Sequence, residues 1–313
     1  MKFIVLGAGG VGCYYGARLL RAGHEVVFVA RGEHLAQLRK EGLTLNHPKI
    51  DFNEAVTAIS IEEMRVLDLS SFDAILLTIK STATREIAEV LKSCFESLTS
   101  IPYCISLQNG VENEDILSHY IKPCYIIGGL TRKIGAHIIR AGVIQAVGDA
   151  ETILGLMESD EKAKHFLEKC ALILKEASIP TEIVLDIRKE LWKKLIINNG
   201  VNALCALLEV KTGILMHHSH LASIVLGLMR ETAMAAQALH VKISDEEIQA
   251  MFDLILGFDS IKPSMLVDVE HGRALEIEEI CGVVIRYCKQ LGIEAPFTQT
   301  IYALLNYKME NLR

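Results

Sequence analysis

The chain has 313 residues, half of them hydrophobic, enough for one large or two ordinary domains with sizeable cores, and two is the expectation. A net charge of −7 and the lack of any long basic run argue against a nucleic-acid or anionic-membrane surface, which needs concentrated positive charge. The first residues read as a core strand rather than a secretory signal, and no apolar stretch approaches the roughly 20 residues that cross a bilayer.

In chain order, the apolar run Phe3-Ile4-Val5-Leu6 leads straight into Gly7-Ala8-Gly9-Gly10-Val11-Gly12 and then a helical stretch. Strand, glycine turn and helix in that order mark a dinucleotide site. The first glycine permits a tight turn, the second lets the backbone approach a pyrophosphate, and the third lets helix and strand lie close. Free amides at the helix N-terminus face the phosphates. A second strand over 25–30 ends in Arg31-Gly32, where an NAD enzyme normally carries Asp or Glu. A guanidinium there pairs bidentately with a 2′-phosphate, so the expected cofactor is NADP(H). The plainer reading makes Arg31 a solvated loop charge and leaves the ribose to Glu33 or a backbone group.

Strands are expected at 74–79, 103–107 and 124–128, with 136–140 and 142–147 forming a hairpin that extends the sheet, and a short strand at 152–154. Ligands bind at the carboxyl ends of such strands. There stand Lys80, and Gln108-Asn109-Gly110, so Lys80 and Asn109 are candidate cofactor contacts. Equally, Lys80 reads as an exposed loop charge and Asn109-Gly110 as a turn. Alternation of strands and helices predicts an α/β fold: a Rossmann-type doubly wound parallel sheet over 1–184, then an all-helical domain over 185–313 with caps such as Ser244-Asp245-Glu246-Glu247. Without a low-complexity linker or repeat, the halves are expected to pack across a substrate cleft. Eight scattered cysteines without a C-x-x-C pair read as free buried thiols of a reducing, cytoplasmic compartment. His217-His218-Ser219-His220 lacks acidic or cysteine partners nearby and reads as a solvated helix entry, so no metal is expected.

Over 191–205, read as one helix, Lys194, Asn198 and Asn202 recur at intervals of four. That spacing stacks side chains in a row drifting by about 40° per step. Leu191, Val201 and Cys205 share that side, so the row faces protein or ligand. Asparagine is a poor helix former, and burying its amide unpartnered costs a few kcal/mol, so something polar sits opposite. One reading is structural hydrogen bonding with Lys194 snorkelling outward. The other is a substrate site in which Lys194, its charged form disfavoured by desolvation, is a general acid. Ser264, behind a proline, reads as an N-cap worth about 1 kcal/mol. Glu276, in the first turn of a later helix, complements the macrodipole without any chemistry.

Taken together, Gly7, Gly9, Gly12, Arg31, Lys80, Asn109, Trp192-x-Lys194-x-x-x-Asn198-x-x-x-Asn202, Ser264-Met265-Leu266-x-Asp268 and Glu276-Ile277 behind a Gly-Arg resemble the ketopantoate reductase (2-dehydropantoate 2-reductase) family from end to end. The resemblance implies Lys194 as general acid, supported by Glu276, which also contacts substrate. It implies Asn198, Asn202 and Ser264 as binders of a keto acid, and Lys80 and Asn109 as contacts to cofactor or substrate. Some members carry a further asparagine about ten residues past the match to Asn202; this chain has Thr212-Gly213. The implied partner is a small 2-keto acid reduced with NADPH, and a homodimer is allowed. Rival readings are a reductase of another 2-keto acid and a non-catalytic NADPH-binding sensor.

Overall fold

Eight strands form the main sheet of the computed structural model, which describes residues 1–96, 98–258 and 261–311. Their order is β12 (Thr181–Ile183), β11 (Glu151–Leu156), β8 (Ile126–Arg132), β7 (Tyr103–Ser106), β6 (Ala74–Leu77), β1 (Lys2–Leu6), β2 (Glu25–Val29) and β5 (Thr57–Ile59). All neighbours are parallel except β8 and β11. Along β1, Phe3 and Val5 enter one core while Ile4 and Leu6 enter another, as a period of two requires. Both faces are therefore covered, which is why the strands read as continuous apolar runs. The helix α6 (Glu161–Glu176) closes the first face through Leu167, Cys170, Ile173 and Leu174. On the second, α4 (Thr84–Phe95) contributes Ala88, Val90, Leu91 and Phe95.

The chain leaves β1 for β2 on one side and returns to β6 on the other. The carboxyl ends of β1, β2 and β6 thus meet at the topological switch point, where a doubly wound sheet opens a crevice for a ligand.

The hairpin over 136–140 and 142–147 does not extend this sheet. Its strands β9 (Gly135–Arg140) and β10 (Val143–Val147) join β3 (Leu43–His47) and β4 (Ile50–Glu54) in a separate sheet of order β4-β3-β10-β9. The edge of β8 that the hairpin would have used is taken by β11, paired from Glu151 to Leu156, and β10 pairs in parallel with β3 instead. The helix α1 (Gly10–Arg21) lies between the sheets, so every residue from Gly12 to Leu19 is buried. Leu43, Leu45, Phe52 and Ile144 belong to the same core. The strand expected at 124–128 begins only at Ile126, because Pro123–Tyr125 form a 3₁₀ turn, and it continues to Arg132.

The described residues group into two compact units, Met1–Ile187 and Arg188–Arg313. The remaining helices of the first are α2 (Gly32–Glu41), α3 (Ile61–Arg65) and α5 (Asn113–Ser118). From α7 (Ile187–Ile197) onward the chain is helical: α8 (Ala203–Leu208), α9 (Thr212–Met216), α10 (Ser219–Ala236), α11 (Asp245–Leu256), α12 (Ser264–Glu270), α13 (Val283–Gln290) and α14 (Pro296–Asn311). Its centre is α10, which packs against α9, α11, α13 and α14. Ser244 and Glu247 form the capping box expected from the sequence, each side chain accepting the other's backbone N–H at 3.3 and 3.0 Å. Buried Glu231 accepts from the N–H groups of Phe297 and Thr298 at 2.8 and 2.7 Å, satisfying the start of α14. Among the described residues no helix is long and apolar enough to cross a membrane.

Candidate active site

The candidate site residues fall into two constellations, one in each unit. In the first, Gly7 sits at φ +107°, and a Cβ there would stand 2.7 Å from the Ile79 nitrogen. Only glycine fits such a turn. A Cβ on Gly12 would stand 2.3 Å from the Gly7 carbonyl oxygen, so this residue lets α1 lie against β1. Gly10 is closed off differently, because its Cβ would stand 2.0 Å from the Ala136 carbonyl of β9. At Gly9 the nearest atom would be 4.0 Å away, so of these four glycines it alone leaves open space beside the backbone. That space adjoins Gly10, Val11 and Gly12, the first residues of α1, whose N–H groups have no acceptor within the helix. An anion fits there, drawn by free amides and the helix dipole together.

Arg31 is exposed and is the N-cap of α2, in extended backbone two residues past β2. Lys80 is likewise exposed, three residues past β6. Asn109 is half-buried past β7, and Gly110 behind it has φ +97°, so the dipeptide is also the turn that its composition suggests. A buried relay fixes this turn. Gln108 Nε2 donates to Thr84 Oγ1 at 2.7 Å, Thr84 Oγ1 donates to Asn113 Oδ1 at 2.8 Å, and Asn113 Nδ2 donates to the Asn109 carbonyl at 2.7 Å. Thr84 follows Lys80 by four residues, so one chain of hydrogen bonds ties the end of β6 to the end of β7. Sequence reasoning missed Thr84 and Asn113, because only the fold brings them to Gln108.

In the second unit, the stretch 191–205 is not one α-helix. It is α7, then a π turn over Asn198–Asn202, then α8. Four residues overshoot an α-helical turn by about 40°. In the wider turn closed by i→i+5 bonds, four residues fall short instead. The drift from Lys194 to Asn198 is therefore reversed from Asn198 to Asn202, and the three remain in line. Lys194 and Asn198 are half-buried and Asn202 is buried. Asn199, fully buried, turns the other way: its Nδ2 donates to Thr232 Oγ1 at 2.9 Å and to Thr298 Oγ1 at 3.1 Å. Thr298 Oγ1 in turn donates to Glu231 Oε2 at 2.7 Å. Trp192, also buried, packs edge-on against Tyr287 with ring centroids 5.7 Å apart, anchoring α7. Lys193 is committed elsewhere, to Glu190 at 3.0 Å and Glu247 at 3.2 Å.

A second π turn, Glu278–Gly282, packs against the first, and α12 packs against both the first π turn and α8. Single π turns inside helices frequently mark functional sites. The N-cap of α12 is Pro263; Ser264 is its first residue and is exposed, so the serine hydroxyl does not cap the helix as the sequence suggested. Buried Asp268 pairs with Arg273 Nε at 2.9 Å, closing the loop through Gly272 at φ +62° that delivers Glu276. Glu276 is buried and precedes the first helical residue, Ile277, rather than lying inside the turn. Three residues on, Glu279 is half-buried; burial, then the charges of Glu276 and Glu278, push its carboxyl above the ordinary range. Thr212 is buried at the start of α9, its N–H donated to the Ile261 carbonyl at 3.1 Å. Among the described residues no group of three or more His, Cys, Asp or Glu is placed to hold a metal ion.

The family described as Ketopantoate reductase PanE/ApbA matches residues 3–159, and its C-terminal part matches 186–309. The 2-dehydropantoate 2-reductase of Pyrococcus abyssi is 30% identical over 311 residues, 98% of each chain. That of Archaeoglobus fulgidus is 28% identical over 305 residues, covering 96% of this chain and 95% of its own. Among solved structures, 2-dehydropantoate 2-reductase from Geobacter metallireducens superposes with a TM-score of 0.86 at 27% identity, over 98% of this chain and 100% of that one. D-mandelate dehydrogenase in complex with NADH and anilino(oxo)acetate gives 0.91 at 24% identity over 100% and 99%, a likeness of fold alone. The glycine turn with its open position at Gly9, the row from Lys194 to Asn202 and a match that runs the length of the chain place this protein in the ketopantoate reductase PanE/ApbA family.

Proposed function

We propose that the protein reduces the C2 ketone of 2-dehydropantoate to (R)-pantoate with NADPH, in the route to pantothenate and coenzyme A. The sheet unit binds the dinucleotide at Gly7, Ala8, Gly9, Gly10, Val11 and Gly12, with Arg31 on the 2′-phosphate and Lys80 and Asn109 as further contacts. The helical unit binds the keto acid through Asn198, Asn202 and Ser264. A bound nicotinamide supplies the hydride. Lys194 gives its proton to the oxygen that becomes the alkoxide, and Glu276 supports the lysine and contacts substrate. Positioning and electrostatic stabilisation of that oxygen supply most of the rate.

The observation that carries this reading is the row Lys194, Asn198 and Asn202, kept in line by a π turn whose inner residue, Asn199, is bonded to two other helices. A row held this way presents a proton donor and two amides in fixed register, which is what a ketone and a neighbouring hydroxyl require. The full-length likeness to enzymes named 2-dehydropantoate 2-reductase supports the substrate. Steady-state kinetics on wild type, Lys194→Ala and Asn198→Ala test it. Loss of a general acid lowers kcat by about 10²- to 10⁴-fold, whereas Asn198→Ala is expected mainly to raise KM. Unchanged turnover in Lys194→Ala overturns the mechanism.

A second reading is favoured by Thr212, buried where some members carry asparagine. Its shorter side chain leaves room for a differently shaped 2-keto acid with the same chemistry. A panel of keto acids followed by NADPH absorbance decides between the two substrates.

A further inference from the structure

One side chain joins the dinucleotide turn to the separate four-stranded sheet. His34, half-buried in the first turn of α2, accepts the Gly142 N–H at Nδ1, 3.0 Å away, in the turn between β9 and β10. Its Nε2 faces the glycine turn, where Cys13 Sγ lies 3.9 Å away and the Ala8 carbonyl favours a proton on the ring. With Nδ1 accepting, the proton of the neutral ring lies on Nε2, the nitrogen that faces the glycine turn. Burial holds the ring below the ordinary histidine range, in keeping with that neutral form. The same Ala8 carbonyl accepts from the Cys13 thiol at 3.3 Å.

The partners of His34 are themselves fixed. Gly142 has φ +74°, and a Cβ there would stand 2.9 Å from Gln37 Cγ, one helical turn along α2 from His34. Its carbonyl accepts from the Thr44 N–H of β3 at 2.9 Å. Farther along the hairpin, the Ala136 carbonyl occupies the place where a side chain on Gly10 would go. The β9–β10 hairpin therefore meets the phosphate turn at two points, directly at Gly10 and through His34 beside Cys13, whose thiol bonds the Ala8 carbonyl.

We propose that His34 is a positioning residue for dinucleotide binding: set between Gly142 and Cys13, whose thiol bonds the Ala8 carbonyl, it holds the glycine turn against the β9–β10 hairpin, so that the amides of Gly10, Val11 and Gly12 stay aimed at the pyrophosphate. The proposal rests on dinucleotide binding by the sheet unit, and on neither the keto acid nor the choice between NADPH and NADH. Glutamine carries a donor and an acceptor on a neutral side chain and is the conservative replacement.

The test is a fluorescence titration of NADPH and of NADH, without keto acid, on full-length wild type, His34→Ala, His34→Gln and Arg31→Ser. Loss of this contact in His34→Ala is expected to weaken both dinucleotides about tenfold. His34→Gln is expected to restore both, and Arg31→Ser to weaken NADPH alone. The proposal is overturned if His34→Ala binds both dinucleotides like wild type, if it loses only NADPH, or if His34→Gln binds no better than His34→Ala. A wild type that binds neither dinucleotide sinks the cofactor reading itself, and this proposal with it.

Discussion

At the residue scale, the same amino acid serves opposite ends according to its surroundings. Four glycines occur within six positions, yet three are required by the protein's own atoms: Gly7 by φ and Ile79, Gly10 by Ala136 and Gly12 by Gly7. Gly9 is the one whose missing side chain faces open space, the feature that a pyrophosphate needs. Adjacent lysines likewise stand in different surroundings. Lys193 is held by Glu190 and Glu247, while its neighbour Lys194 stands in register with two asparagines. Arg31, exposed at the end of β2, invites a direct test. Removing a charge-assisted pair costs about 1.5–3 kcal/mol, so Arg31→Ser is expected to raise the KM for NADPH by at least tenfold and to leave that for NADH unchanged. Equal behaviour of the two cofactors in this variant would make Arg31 a solvated charge.

At the scale of elements, ion pairs and buried amides hold helices in register. Glu247 caps α11 and meets Lys189 at 2.8 Å and Lys193 at 3.2 Å on α7. These bonds, Lys189 first, outweigh burial and bring its carboxyl down to about 2 from an ordinary 4.5. A depressed carboxyl contributes stability that is present above its unfolded value and lost as pH falls through its folded one. Glu247→Gln, which keeps the capping box, is thus expected to melt lower than wild type at pH 7, by about 1 kcal/mol for so accessible a pair. The difference should vanish as pH drops from 4.5 towards 2 in thermal melts. A gap that persists at the acid end would refute the assignment. The π turn offers a second check. Asn199→Leu leaves the hydroxyls of Thr232 and Thr298 without their buried donor, at about 1–3 kcal/mol in urea unfolding, and frees the turn to relax. Activity towards the keto acid is expected to fall further than stability explains, with NADPH affinity kept. An active, merely less stable variant would remove the π turn from the mechanism.

At the scale of the whole molecule, a ligand that binds only the folded sheet unit stabilises it by mass action, by about 2.7 kcal/mol at a hundred times Kd. Calorimetry of the full chain is expected to show a transition moved upward by NADPH and less by NADH at equal concentration; no shift with either would contradict dinucleotide binding. Much of this architecture is legible in the chain itself. Apolar runs, the glycine turn, the Ser244–Glu247 box and the four-residue recurrence from Lys194 are local patterns, written by the periods of strand and helix and by orphan amides at helix ends. What tertiary structure decided is partner choice. The β9–β10 hairpin was free by pattern to extend the main sheet, but β11 won the edge of β8, and β3 and β4, unmarked by any strong apolar run, received the hairpin instead. Likewise the contact of His34 with Gly142 and the bonds from Asn199 to Thr232 and Thr298 join residues far apart in sequence. Periodicity tells a segment which shape to adopt, whereas competition among edges and buried polar groups, settled only when the chain is packed, tells it where to go.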